Sequence, residues 1–317
     1  MGSQYILPSM AAEYLHMDAY TGIGKDSSAL NGSPYFERME QKREIENGGF
    51  NDQEINGYYG IGMGNGRLDM FGTLERKGST LPNNTPIFLS AALGGSYGFS
   101  NMTYGFHVGG EYTRYAAAGY AKNMFLETYS KYDLENFPLL PLPFIDRFVN
   151  HQLLLTASIK GKWHPRMVDY DAVFLRVAAD ITSKTGDKKL LLSNGFSADG
   201  EGRRRQSDKS EGVDLFTFGY RLFLSYQLLD NLYLSGRYRY NLAASPNETV
   251  YTDLLTDDYT AATKKLEVGH DFQGGVHYML SDSFRINGYA TVLLNSSNVE
   301  WYDWSKLVYG VNLQWTY

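Results

Sequence analysis

From Val213 to Leu242 the chain reads VDLFTFGYRLFLSYQLLDNLYLSGRYRYNL, and apolar residues recur at every second position. Phe216, Phe218, Tyr220, Leu222, Leu224, Tyr226 and Leu228 alternate with Thr217, Gly219, Arg221, Ser225 and Gln227, with Phe223 the bulky exception. After Leu229-Asp230-Asn231 the pattern resumes, setting Leu232, Leu234, Gly236, Tyr238, Tyr240 and Leu242 against Tyr233, Ser235, Arg237, Arg239 and Asn241. A period of two sends successive side chains to opposite faces, so each run is a strand. The tight connection makes the pair an antiparallel hairpin. Strands of soluble sheets are usually about 5–6 residues long, and these are much longer. One face is apolar throughout while the other carries guanidinium groups. That combination fits the staves of a transmembrane barrel, about 9–11 residues each, apolar toward lipid and polar toward the lumen.

The same alternation recurs along the chain. Ile55, Tyr59, Ile61 and Met63 lead through Gly64-Asn65-Gly66, a strong turn signal, to Leu68, Met70, Gly72 and Leu74. The run GIGMGNG has neither the dinucleotide spacing nor the Lys-Ser/Thr of a phosphate loop, so its glycines read as alternate strand positions. Ile87 to Phe99 and Met102 to Tyr112 form a second hairpin, and Leu153 to Trp163, Val173 to Ile181, Leu266 to Leu280, Phe284 to Leu294 and Leu307 to Tyr317 follow suit. With residues 5–20 as a first strand, the tally is about twelve, an even number as bacterial barrels require. The expected fold is therefore all-β, a single transmembrane antiparallel up-and-down barrel. Its staves are clear over 55–317, and residues 1–54 form a first strand and a long polar loop.

Composition agrees. No run approaches the roughly 20 apolar residues of a spanning helix, and a barrel escapes hydropathy plots because half of each strand is polar. The chain of 317 residues holds 26 Tyr and 33 Gly. Tyrosine suits the membrane boundary, with its ring buried and its hydroxyl wet. With no cysteine, thiol nucleophiles and Cys-ligated metals are excluded. A net charge of −6 argues against nucleic-acid binding. Asp253, Asp257 and Asp258 lack a calcium-loop spacing, so neither metal nor cofactor is expected. Met1-Gly2-Ser3 leads straight to Gln4-Tyr5-Ile6 with no basic-then-apolar leader, so the numbering is expected to describe a mature or engineered chain.

Short connections are expected near 64–66, 100–101, 164–169, 229–231 and 281–283. Longer ones are expected near 117–149, 184–211 and 244–262, on the opposite side. The connection 117–149 contains FPLLPLPFIDRFV, whose Phe137, Leu139, Leu140, Leu142 and Phe144 form an apolar loop unusual at a wet surface. Packing on its own barrel is the plainer reading, and a partner-docking loop the sharper one.

The last residues, YGVNLQWTY, place Gly310 ahead of Leu313, Trp315 and the terminal Tyr317. This ending resembles the C-terminal assembly signal of Gram-negative outer-membrane β-barrel proteins, with Val308 a departure where that signal has a polar residue. The resemblance covers the architecture of about 55–317. It implies short periplasmic turns, longer extracellular loops and a place in the bacterial outer membrane. It also implies contact with lipid and lipopolysaccharide, recognition by the barrel-assembly machinery, and association with other outer-membrane proteins as an option.

The inner face is charged with mixed sign, including Arg176, Arg221, Arg237, Arg239 and Arg285 with Glu111, Glu267 and Asp271. Such charges either line a wet channel and set its selectivity or pair across the lumen and seal it. Arg221, Arg237 and Arg239 sit on adjacent staves, and like charges in a row are easier to hold in water than in a packed plug. A channel for small solutes is the leading expectation. A non-catalytic accessory subunit docking through extracellular loops comes second, and an enzyme third. His107 and Glu111 share a face, whereas the neighbours His270 and Asp271 point apart. No nucleophile with an oriented base is legible from the sequence alone.

Overall fold

The computed structural model describes residues 13–26, 48–79, 87–115, 119–134, 149–162, 172–186, 189–205, 215–249, 261–299 and 303–317. Fourteen strands close into one barrel in sequence order, each antiparallel to its neighbours. The first half comprises β1 (Glu13–Asp26), β2 (Gly48–Met63), β3 (Gly66–Ser79), β4 (Ile87–Phe99), β5 (Met102–Tyr115), β6 (Gly119–Leu134) and β7 (Val149–Lys162). The second half comprises β8 (Ala172–Gly186), β9 (Leu190–Arg205), β10 (Leu215–Leu229), β11 (Leu232–Thr249), β12 (Thr263–Met279), β13 (Phe284–Ser297) and β14 (Trp304–Thr316). The class is as expected, but the count is fourteen rather than twelve.

The two additional strands lie inside segments expected to be loops. β6 crosses the barrel within 117–149, and β9 crosses it within 184–211. Each broke the periodicity in its own way. On β6 the outer positions include Thr128 and Ser130 while Phe125 and Tyr129 point inward, which blurs the alternation. β9 carries Asn194 among its outer positions, opposite Leu222. Of the first strand expected over 5–20, residues 5–12 lie outside the described residues, and β1 runs Glu13–Asp26.

An extra strand moves every following connection to the other end of the barrel. The turns at 64–65, 100–101, 230–231 and 280–283 gather at one end with the C-terminus and with the facing ends of β8 and β9. They are tied there into a ring. Gly98 N–H donates to Asn65 O (2.8 Å), Asp133 N–H to Asn101 O (2.9 Å), Met279 N–H to Asn231 O (2.8 Å) and Thr316 N–H to Ser283 O (2.9 Å). Because Asp133 belongs to this ring, β6 ends at the turn end and the connection 135–148 starts there. Conversely, 163–171 joins strand ends at the loop end, not among the short turns. The apolar segment with Phe137, Leu139, Leu140, Leu142 and Phe144 lies outside the described residues. Its attachment points correct the expected side, because it leaves and re-enters at the turn end. Two turns show the local geometry that reverses the chain so tightly, with Gly64 at φ 63° and Ser100 at φ 53°.

The two faces separate sharply. Large apolar side chains stand exposed on the outer face all the way round, among them Ile55, Leu68, Leu93, Val108, Leu126, Val177, Leu224, Val276 and Val311. Near the turn end the outer aromatics Tyr97, Phe99, Tyr104, Tyr226, Tyr278, Phe284 and Tyr317 form a girdle. An exposed apolar band of this extent would not be tolerated in water; in lipid it is the required surface. Closure also leaves no strand edge with unpaired backbone groups. Inside, the described residues bury almost no apolar side chains, with only Ala92, Ala243 and Val299 in that class. The strand spacing of about 4.8 Å and a tilt near 40° give fourteen strands a backbone radius of about 14 Å. Side chains of the wall alone do not fill that width, and no described segment crosses it.

Candidate functional site: the lumen wall

The lumen is lined by alternate residues of every strand, so register decides which charges meet. Arg221 and Arg239 are direct partners across β10 and β11, and Arg239 is in turn opposite Asp271 of β12. Arg237, one inward position nearer the turn end, pairs with Phe223 and Gln273. Arg221, Arg237 and Arg239 thus adjoin on one face of β10 and β11, and their surroundings differ. Arg221 donates to Asp180 Oδ1 (2.6 Å) and to Thr182 Oγ1 (2.5 Å) on β8, reaching across β9. That reach passes over Gly195, where a Cβ would come within 2.8 Å of Arg221 Nε. Arg237 donates to Asp271 Oδ2 (3.0 Å) and is largely covered. Arg239 stands exposed on the wall, with no ion pair among the described residues.

The other expected lumen residues fall into place around this ladder. Glu267 is held by Lys265 Nζ (3.0 Å) and by Asn295 Nδ2 (3.4 Å). Arg285 donates to Gln314 Oε1 (2.8 Å). Glu111 lies on the inner face of β5 opposite Ser90 and Asn123. Arg176 occupies an inner-face position of β8, opposite Ser158 and Glu201. His107 meets Glu127 Oε1 (3.4 Å) rather than Glu111, its own strand neighbour. That partner sits on β6, a strand not legible in the sequence. His270 faces outward, where Tyr238 Oη lies 3.0 Å from its Nδ1, so it and Asp271 do point apart.

A cluster not foreseen from sequence braces the wall at β2 and β3. Arg67 Nε lies 2.6 Å from Asp69 Oδ1, Tyr58 Oη donates to Asp69, and Arg67 also donates to the Tyr58 hydroxyl. Asp69 is 7% exposed. Gly60 is its structural condition, since a Cβ there would approach Arg67 Nη2 and Tyr58 Oη to 2.8 Å. The glycine-rich run thus serves side-chain packing across the wall. Removing one partner of a buried ion pair strands the other. Asp69→Asn is therefore expected to lower unfolding stability by about 3 kcal/mol, and Arg67→Met with Asp69→Leu to recover most of it, read from urea unfolding in detergent micelles.

Charges are also sorted around the circumference. β1, β2 and β3 place Asp18, Asp52, Glu54, Asp69 and Glu75 inward against the single inward Arg67 among residues with described side chains. β10 and β11 place Arg221, Arg237 and Arg239 inward with no acidic residue at the inner positions of 215–243. In a closed ring of fourteen, β3 stands diametrically opposite β10. The lumen therefore has an acidic wall facing a basic one.

At the turn end the wall of β11–β14 carries a polar chain. Ser235 Oγ is 2.7 Å from His277 Nε2, His277 Nδ1 is 2.7 Å from Asn287 Oδ1, and Asn287 Nδ2 donates to Asn312 Oδ1 (2.7 Å). Sequence reasoning missed it because its members lie on four strands joined by connections of unequal length, so their register could not be read. The expected assembly-signal residues close the barrel. Leu313, Trp315 and Tyr317 face outward, with the last two rings 6.2 Å apart. Gly310 faces inward, where a Cβ would fall 2.6 Å from Ile23 O on β1. Val308 shares the inward face and pairs with Thr291.

No family model and no curated protein matches the sequence. Among solved structures, the chain is similar to OmpT, an outer membrane protein of Vibrio cholerae, at 10% identity over 99% of this chain and 100% of that one, TM-score 0.46. It is also similar to an anion-selective porin from Comamonas acidovorans at 11% identity over 97% and 100%, TM-score 0.47. A bacterial polysaccharide outer membrane secretin is a third, at 9% identity over 94% and 98%, TM-score 0.49. Identities this low carry no residue correspondence, and the barrel rests on its own strand pairings.

Proposed function

We propose that the chain is an integral protein of the bacterial outer membrane, a channel for small solutes through a charged lumen. The observation that carries this reading is the lumen wall itself, polar, partly exposed and sorted into opposed acidic and basic sides. A sealed scaffold would pair its charges and bury them, yet Arg239 stands exposed in the middle of the basic wall. Opposed walls generate a field across the lumen, which orients polar solutes and favours ions of either sign on the complementary side. The outer band would contact lipid and lipopolysaccharide, and the last strand would be read by the barrel-assembly machinery.

Docking as an accessory subunit through extracellular loops is the weaker reading. Its apolar segment, 135–148, attaches at the turn end, which the proposed orientation makes periplasmic. The decisive measurement is single-channel recording of the purified barrel in a planar bilayer. Discrete conductance steps are expected. A protein that inserts, shown by protection from protease, and stays electrically silent would overturn the channel reading.

A further inference from the structure

We propose that Ser235, His277 and Asn287 form a nucleophilic relay on the lumen wall, able to hydrolyse a water-soluble carboxylic ester that enters the turn end of the barrel. The reading rests on hydrogen-bond polarity, which can be fixed from one end. Arg285 has only donors, so the Gln314 atom it meets at 2.8 Å is Oε1. Asn287 approaches that same oxygen at 3.4 Å and Asn312 Oδ1 at 2.7 Å, so its Nδ2 points to β14. The other end of the Asn287 amide, Oδ1, must then face His277, 2.7 Å from Nδ1. His277 therefore carries its proton on Nδ1 and leaves Nε2 as an acceptor. Ser235 Oγ, at 2.7 Å, donates to it. A serine hydroxyl held on the free nitrogen of a histidine whose other nitrogen is oriented by a third group is the arrangement that activates a nucleophile.

Two further observations fit a reactive site better than a passive clasp. Ser235 and His277 remain partly open to the lumen, whereas the orienting Asn287 is only 7% exposed. Gly275, the cross-strand partner of Ser235, keeps the space clear. A Cβ there would lie 2.7 Å from Ser235 Oγ and 3.1 Å from His277 Nε2. Arg237 stands one inward position beyond Ser235 on β11, and its buried Nε has no hydrogen-bond partner among the described residues. Its guanidinium is held by Asp271 Oδ2 (3.0 Å) and puts a positive charge on the wall next to Ser235. Since the relay faces the lumen rather than lipid, its substrate is a dissolved ester and not a bilayer lipid.

The chemistry balances with water as the only co-reactant. Ser235 Oγ attacks the ester carbonyl carbon as its proton passes to His277 Nε2. The bond to the alkoxy oxygen then breaks, and His277 returns that proton to the departing alcohol. Water attacks the acyl-serine, giving a proton to His277, which passes it to Ser235 Oγ as the acid leaves. Asn287, Gln314 and Arg285 are positioning residues.

The test treats the detergent-folded barrel with an alkyl fluorophosphonate and locates the adduct by mass spectrometry. The adduct is expected on Ser235. Its rate should fall about a hundredfold or more in His277→Gln, and hydrolysis of p-nitrophenyl butyrate should be lost in Ser235→Ala. Asn287→Leu should slow labelling and Asn287→Asp should restore it, because a carboxylate also accepts from Nδ1. A purely structural role would be harmed by both changes. An unlabelled wild type, an adduct on another residue, or a rate indifferent to His277 overturns the proposal. Wild-type labelling decides the matter even where a variant fails to fold. The outcome is independent of the channel reading, since a labelled but silent barrel would sink only that reading.

Discussion

Replacing Arg239 by glutamate should move the zero-current potential of the barrel under a salt gradient by several-fold in anion-to-cation permeability, toward cations. Arg221→Gln and Arg237→Gln should do less, because each already has a carboxylate within 3.0 Å. The size follows from Coulomb's law. A monovalent ion passing about 8 Å from one guanidinium feels about 0.5 kcal/mol in bulk water and about 2 kcal/mol at an effective dielectric near 20. Set against RT of about 0.6 kcal/mol, that changes local ion density between roughly twofold and thirtyfold. Reversing the charge doubles the energy and so squares that ratio, and raising the salt should shrink it as the Debye length falls. The variant should unfold at the same urea concentration as the wild type, since an exposed, unpaired arginine contributes little to stability. Loss of stability without a change in selectivity would mean that Arg239 is packed rather than wet, and would count against a permeable lumen.

The hierarchy among these three arginines marks the boundary of what the sequence can say. Alternation alone assigns Arg221, Arg237 and Arg239 to one face, and the two-residue turn at 230–231 fixes their register across the hairpin. Partners outside the hairpin depend on strands that periodicity does not disclose. Asp180 reaches Arg221 only across β9, which Asn194 and its run of small residues conceal. Likewise Glu127 was invisible as the partner of His107 while β6 was counted as loop. Strands whose outer faces mix Thr, Ser, Ala and Gly with a few apolar residues are stabilised by their neighbours' pairing. They carry little pattern of their own. One uncounted strand then inverts the side of every connection until the next, which is how 135–148 and 163–171 exchanged ends. The relay of Ser235, His277 and Asn287 is further still from legibility, since it needs the register of two successive pairings to bring its members together.

Removing the last three residues, Trp315 to Tyr317, should abolish the heat-modifiable barrel both in cells and on refolding into detergent. Replacing Trp315 and Tyr317 by alanine should abolish it only in cells. The difference separates two roles that coincide at the C-terminus. The backbone role is closure. Tyr317 N–H donates to Met17 O (2.8 Å), Met17 N–H donates to Tyr317 O (3.1 Å), and Thr316 Oγ1 donates to Asp18 Oδ1 (2.8 Å). This seam between β1 and β14 joins the two ends of the chain, so it is the most non-local pairing in the fold and has the costliest loop to close. Truncation would open it at the turn end and leave backbone groups of β1 unpaired against lipid, each costing several kcal/mol. Alanine keeps every one of those bonds and removes only the outward rings. If those rings are recognised during insertion, the alanine variant should refold with purified lipid or detergent yet fail to reach the membrane fraction. Normal assembly of that variant in cells would remove the signal role from Trp315 and Tyr317. Failure of its refolding would show instead that the rings hold the seam.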